Sequence, residues 1–313
     1  MKKGIDISTF QGKLSEQDWR NIKNSGIDFA IIRIGYTGYG TAKSKQKDDQ
    51  FENNYAQCKK IGMPVGVYWY SCAVTEEEAI EEAKLTLKYL EGKQLEYPVY
   101  IDTEDNHNTK KYSKESQYSI GKNRLTKVIN AYCKYIEERK YYVGIYASLS
   151  WFNNQLILDD LKAYDKWVAQ WADRSSYKGN YGMWQYTSNG NVIGKRMDLN
   201  EAYYDFEKII KEKGLNGYTK EDNNQNDNNG NNDKDDNNNK PNNDEVETKF
   251  KVGDKVKIIG TGNANSYGTG RTATGIGWTR EILKIYKDRE YPYQVGNNKG
   301  TTGFYKETSL KKI

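Results

Sequence analysis

Over its first two hundred residues the chain alternates short apolar runs with longer amphipathic ones, and few folds accommodate that pattern. Strands are expected at Gly4–Ser8, Phe29–Gly35, Val65–Ser71, Val99–Thr103, Val143–Ala147, Trp167–Trp171, Met183–Tyr186 and Met197–Leu199. Helices are expected at Gln17–Ser25, Phe51–Ile61, Thr75–Leu90, Glu115–Arg139 and Leu156–Tyr164. Thr75 with Glu78 three residues on has the form of a capping box. Alternation of this kind builds βαβ units and a parallel sheet. Eight strands within about 200 residues imply a sheet closed on itself. The last three strands are joined by loops too short for crossover helices, so an irregular, antiparallel closure is expected there. The expected class is α/β: an irregular (β/α) barrel of about five β/α units plus three closing strands.

The composition changes abruptly at Lys220–Asn243, which is dominated by Asn, Asp and Lys and contains no apolar residue. Such a tract cannot bury enough surface to offset its ordering entropy, so it reads as a disordered tether. It accounts for part of the polar mean hydropathy of −0.99. Beyond it, segments such as Val252–Val256, Ile282–Tyr286, Tyr293–Val295 and Gly303–Tyr305 alternate with Gly-rich turns, as in a small all-β barrel. The expected division is 1–215 for the α/β barrel, 216–247 for the linker and 248–313 for the β module. From Val246 onward there are 13 Lys+Arg against 6 Asp+Glu, whereas the preceding residues hold 35 against 37. The overall charge of +5 therefore belongs to the C-terminal module and points to an anionic partner.

The stretch Tyr97-Pro98-Val99-Tyr100-Ile101-Asp102-Thr103-Glu104 ends an apolar strand in two carboxylates spaced i, i+2. Side chains alternate along a strand, so Asp102 and Glu104 share a face and Thr103 takes the other. Burying two acids side by side is unfavourable unless chemistry uses them. In β/α barrels the chemistry lies at the C-terminal strand ends. Asp6 is near the end of the first strand, and closure brings Asp198 of the last strand beside it. Four acids are thus expected around one rim, with Asp6 and Asp198 acting either directly or as structural hydrogen-bonding groups.

Other chemistries find little support. Cys58, Cys72 and Cys133 are widely spaced without a C-x-x-C pattern, which disfavours disulfides and zinc. His107 stands alone in a loop after the acidic pair, which disfavours Ser-His-Asp and Cys-His hydrolases and a His-rich metal site. No phosphate-binding Gly motif follows a strand, and neither a metal nor another cofactor is expected. The polar N-terminus carries no signal-peptide h-region, and no apolar run is long enough for membrane insertion. Synthesis in the cytoplasm is the expectation.

Several segments together resemble glycoside hydrolase family 25, the Chalaropsis-type lysozymes that cut peptidoglycan. They are Gly4-Ile5-Asp6-Ile7-Ser8 with Gln11-Gly12, Phe29–Gly35, Asp48 with Phe51 and Asn54-Tyr55, Pro64–Ser71, Pro98–Glu104, Trp184–Ser188 and Met197–Asn200. The family's usual Lys-x-Ser/Thr-Glu-Gly continuation of the second strand is replaced by Arg33-Ile34-Gly35-Tyr36, which alters one wall of the groove. The resemblance implies an N-acetylmuramidase with Glu104 as general acid/base, its pKa raised by burial and anionic neighbours. It implies Asp102 as the ionised partner that orients the substrate's 2-acetamido group, and Asp6 and Asp198 as supporting acids. Tyr36, Tyr68, Tyr70, Trp171 and Gln185 are the candidate substrate-binding residues. Trp171 is expected to be more exposed than Trp167, which shares its strand face. The C-terminal module resembles SH3-like wall-binding domains through Val252-Gly253-Asp254-Lys255-Val256 and Phe304-Tyr305. Its expected partner is bacterial peptidoglycan with anionic wall polymer of the Gram-positive type, in preference to nucleic acid. A phage-type endolysin fits these features; a non-catalytic peptidoglycan-binding protein and a chitinase-like glycosidase are the alternatives.

Overall fold

Nine strands of the N-terminal region form one sheet in this computed structural model, which describes residues 1–38, 43–104, 115–219, 249–266, 268, 272–286, 289–297 and 300–313. Residues 220–247 of the expected linker and His107 lie outside the described residues, while residues 216–218, also expected in the linker, belong to the first unit, where Asn216 is fully buried. Two compact units are present, Met1–Tyr218 and Thr219–Ile313.

In the first unit the strands are β1 (Lys2–Ile7), β2 (Phe29–Thr37), β3 (Lys45–Lys47), β4 (Val65–Tyr70), β5 (Val99–Asp102), β6 (Val143–Ser148), β7 (Asp165–Ala169), β8 (Met183–Val192) and β9 (Lys195–Ala202). Eight of them close a barrel in the order β1-β2-β4-β5-β6-β7-β8-β9, while β3 pairs only with β2 as an antiparallel flap. Neighbours from β1 through β8 run parallel, and β9 is antiparallel to both β8 and β1. The antiparallel closure is thus narrower than expected, because β7 and β8 are parallel. Their connection, residues 170–182, has about the dozen residues that a parallel return needs and manages it without a helix.

The helices are α1 (Glu16–Asn24), α2 (Phe51–Lys60), α3 (Glu76–Tyr89), α4 (Lys122–Glu137), α5 (Leu149–Asn154) and α6 (Phe206–Glu212). Thr75 caps α3 by accepting from the Glu78 amide, as its position in the sequence implies. Two expected helices differ. The α4 helix begins at Lys122 because Ser116 and Ser119 exchange side-chain–amide bonds in a turn, and Gly121 follows at φ 77°. Leu156–Tyr164 is a series of turns closed by i→i−3 bonds, and Asp159-Asp160 in its middle is poor helix material. The helix here is instead α5, started by Ser148 at its N-cap.

Strand alternation sorts the barrel. Val67, Trp69, Ile101, Ile145 and Val168 are buried against the outer layer. Inside, Tyr68, Tyr100 and Tyr146 surround Trp167 at ring-centroid distances of 6.1, 5.1 and 4.5 Å. Gly144 makes room for this cluster, since a Cβ there would lie 2.3 Å from Tyr100 Cε1. At the N-terminal ends of the strands, Asn216 accepts from the Tyr142 amide (2.7 Å) and donates to the Tyr97 carbonyl (2.8 Å), joining β5 to β6.

The second unit is an antiparallel sheet in the order β12-β11-β15-β14-β13-β10-β16. Its strands are β10 (Lys255–Ile258), β11 (Gly262–Asn263), β12 (Thr272–Ala273), β13 (Thr279–Ile285), β14 (Tyr293–Asn297), β15 (Gly300–Tyr305) and β16 (Leu310–Lys312). Its core includes Phe250, Val256, Ile258, Ile282, Val295 and Tyr305. Lys257 is exposed opposite Lys311 on the adjoining strand, so like charges sit side by side on the outer face.

Candidate active site

The C-terminal strand ends surround a cavity of about 530 Å³ lined by Asp6, Asp102, Glu104 and Asp198 together with Arg33 and the aromatics Phe10, Tyr36, Tyr68 and Tyr70. A second cavity of about 360 Å³ is lined by Glu104, Tyr146, Ser148, Ala169, Gln170 and Trp171. Glu104 is the carboxylate common to both.

The strand pattern explains how the acids arrive together. Asp102 closes β5 facing inward, Thr103 turns to the helix layer, and Glu104 returns to the cavity as the chain leaves the rim. Asp6 and Asp198 are direct cross-strand partners on β1 and β9. Asp6 Oδ2 accepts from Gln185 Nε2 (2.9 Å) and Asn200 Nδ2 (2.8 Å). Burial, with a further contribution from Asp198, pushes the Asp6 carboxyl up to about 8 despite those two bonds. Burial also raises the half-buried Asp198, opposed by Arg196 and by its bond with Asp6. Burial and mutual repulsion of these two facing carboxyls thus favour a proton on Asp6.

Asp102 is buried, and its Oδ1 has no hydrogen-bond partner among the described residues. Burial raises it well above the usual carboxylate range, Glu104 and Asp6 add to the shift, and Arg33 opposes it. Burial is expected of both acids, whereas Glu104 is half-buried at the lip. The reason is geometric: Asp102 is the last residue paired within the sheet, and Glu104 lies two residues beyond it.

Arg33 is the cation of the first cavity and its partners span distant segments. Its Nε donates to the fully buried Asp48 at 2.7 Å, and its guanidinium lies over the rings of Tyr36 (4.8 Å) and Phe10 (5.1 Å). Asp48 also accepts from the amides of Thr9 and Gln50. Trp171 is 65% exposed while Trp167 is buried, matching their expected difference. Gln185 lies beneath the groove and not on its wall. Its amide is engaged by Asp6, Tyr146 (3.1 Å) and Trp171 (3.2 Å). Asn200 was not singled out from sequence, although it carries Asp6 and accepts from Trp167 Nε1 at 2.8 Å. Its i+2 spacing from Asp198 on a strand was the available signal. Phe10, 84% exposed and lining the cavity, had no signal beyond its place beside Gln11-Gly12. Among the described residues no group of three His, Cys, Asp or Glu could hold a metal ion, and no helix is long and apolar enough to cross a membrane.

The fold is similar to the modular autolysin LytC from Streptococcus pneumoniae, with 28% identity and a TM-score of 0.54 over 64% of this chain and 46% of that one. The chain thus spans about half the length of that autolysin. It is also similar in fold to a family 25 glycosyl hydrolase from Bacillus anthracis (24% identity, TM-score 0.53, 67% of this chain and 92% of that one). A bacterial lysozyme from Streptomyces coelicolor aligns at 22% identity and a TM-score of 0.51, over 70% and 98% of the respective chains. No curated protein matches the sequence. Residues 5–195 match the family profile described as Glycosyl hydrolases family 25, and the chain belongs to that family.

Proposed function

We propose that the protein is a peptidoglycan hydrolase of the endolysin type that cleaves the β-1,4 bond between N-acetylmuramic acid and N-acetylglucosamine. The observation that carries this reading is the position of Glu104 between the two cavities. Sugar rings seated on either side put the bridging oxygen at its carboxyl group, where a general acid must stand. Asp102 is the supporting carboxylate. In this reading Asp102, which lines the acidic cavity, turns its carboxylate to accept an acetamido N–H from the ring seated there. That bond would favour the Asp102 anion, leaving Glu104 as the acid that carries the proton to the leaving oxygen. Asp6 and Asp198 hold their own proton at the barrel seam, Tyr36, Tyr68 and Tyr70 form apolar walls, and Trp171 offers a face to the second ring.

The SH3-like assignment of residues 248–313, the tether up to 247 and the catalytic span, extended to Tyr218 because Asn216 and Tyr218 bond within the barrel unit, belong to the same proposal. The basic second unit would hold the enzyme on anionic wall polymer and raise its local substrate concentration. A synthetic peptidoglycan ligand accompanies LytC in one solved structure, which supports the substrate class by similarity. Glu104→Gln is expected to abolish release of reducing ends from purified walls while leaving wall binding intact. Mass spectrometry of the parent digest is expected to show fragments ending in reducing N-acetylmuramic acid. Clearing by the variant at the parent rate would remove Glu104 from its role, and fragments ending only in N-acetylglucosamine would favour the chitinase-like alternative.

A further inference from the structure

Glu82 of α3 lies behind the barrel wall, is fully buried, and has no part in the reaction described above. Its surroundings connect it to that reaction. Tyr36, Tyr70 and Asp102 stand in register across β2, β4 and β5 with their side chains lining the acidic cavity. Each is followed by a hydroxyl residue, Thr37, Ser71 or Thr103, which alternation turns to the outer face. All three hydroxyls are buried there.

Two relays join them. Trp69 Nε1 donates to Thr37 Oγ1 (3.3 Å), which donates to Glu82 Oε1 (2.5 Å). Trp151 Nε1 donates to Thr103 Oγ1 (3.1 Å), and that hydroxyl donates to Gln117 Oε1 (2.9 Å). Gln117 Nε2 donates to Ser71 Oγ (3.1 Å), which donates to Glu82 Oε2 (2.6 Å). Both relays begin at an indole N–H and end on one carboxylate, with every hydrogen directed toward Glu82. Only an ionised carboxylate accepts from both ends at once, since an amide or a protonated acid presents a donor to one of them. Burial pushes Glu82 up to about 7, and the bonds from Ser71, Thr37 and the Cys72 amide act against that.

We propose that Glu82 is a positioning residue for the glycosidase site. Its carboxylate ties together the ends of β2, β4 and β5, so that Tyr36, Tyr70 and Asp102 keep their mutual placement and Glu104 follows. This rests on the hydrolase reading above. The Tyr36 wall has ties of its own, to Gln46 Oε1 (2.9 Å) and the Arg33 guanidinium, whereas Asp102 Oδ1 has no hydrogen-bond partner among the described residues, so the loss of Glu82 falls more on the reacting groups than on that wall. Displacements of about 1 Å around reacting atoms cost on the order of 100-fold in rate.

The test uses the full chain with soluble peptidoglycan glycan fragments. Glu82→Gln, folded by circular dichroism, is expected to lose at least about tenfold in kcat with KM within about twofold of the parent. Ser71→Ala and Thr37→Val, each cutting one relay, should lower kcat less. Glu82→Gln combined with Ser71→Ala should be no worse than Glu82→Gln alone, the signature of residues acting as a unit. Glu82→Asp should restore part of the rate. If Glu82→Gln does not fold, Ser71→Ala and Thr37→Val decide the matter by the same kcat-against-KM comparison. Parent kcat in a folded Glu82→Gln, or in both single-relay variants, overturns the inference while leaving the hydrolase reading in place. A parent chain that cleaves none of the fragments overturns both.

Discussion

Replacing Asp6 by Asn tests the electrostatics of the barrel seam. Asp6 has an ordinary value of 3.8 and is held at about 8 in the fold, burial being the main cause and Asp198 the second. Folding at pH 7 therefore takes up a proton that the unfolded chain has released. For an acid shifted upward, the group's contribution to stability is fully present below 3.8 and declines as pH rises toward 8. At roughly 1.4 kcal/mol per pH unit, the loss reaches about 4 kcal/mol at pH 7. Asn has the shape of the protonated acid: its oxygen can accept from Gln185 and Asn200, and its NH2 can donate to Asp198. Asp6→Asn is accordingly expected to be more stable than the parent by up to about 4 kcal/mol at pH 7. The gain should widen toward pH 8 and shrink to near zero at pH 4. Denaturant titration of the full chain by tryptophan fluorescence reads this, since six of its seven Trp precede residue 219. An equal gain at pH 4 and pH 8, or a loss at both, would refute protonation of Asp6.

Three further outcomes follow from other parts of the molecule. Arg33→Met leaves the buried Asp48 carboxylate without its cation and should destabilise the barrel by about 3 kcal/mol, read by the same titration. Trp171→Ala should raise KM for soluble glycan fragments about fivefold through loss of a stacking face worth about 1 kcal/mol, with stability changed by less than about 0.5 kcal/mol. Lys257→Glu with Lys311→Glu should reduce pelleting of the full chain with isolated walls at low salt, and the difference from the parent should fade at high salt.

Much of the barrel was legible because alternation and helix periodicity are local properties. The strands at Phe29, Val65, Val99 and Val143 begin where the apolar runs begin. The convergence of Asp6, Asp102, Glu104 and Asp198 on one cavity followed from strand ends and closure alone. The rest depended on where strands stop relative to one another. Nothing local distinguishes Asp102 as the deeper acid, because depth is set by the last paired residue of β5. The Arg33–Asp48 pair joins residues fifteen positions apart through the β3 flap, for which Lys45-Gln46-Lys47 carries no apolar signal. The direction of β8 was misread because a return without a helix leaves no periodicity to detect. Gln185 looked like a wall residue because its strand position faces inward, but inward at that level means beneath Trp171 and against Asp6.

The reversal of β9 also decides where the polypeptide departs. Eight parallel strands would deliver the chain to the carboxylate rim, but β9 carries it back until Ala202 pairs with Lys2. Beyond α6, Asn216 is fastened between Tyr97 and Tyr142, and the Tyr218 hydroxyl donates to Glu96 just ahead of β5. The last described residues of this unit are therefore at the end remote from the mouth. Substitutions at Asn216 or Tyr218 would therefore be felt first at the starts of β5 and β6 and not at the carboxylate rim.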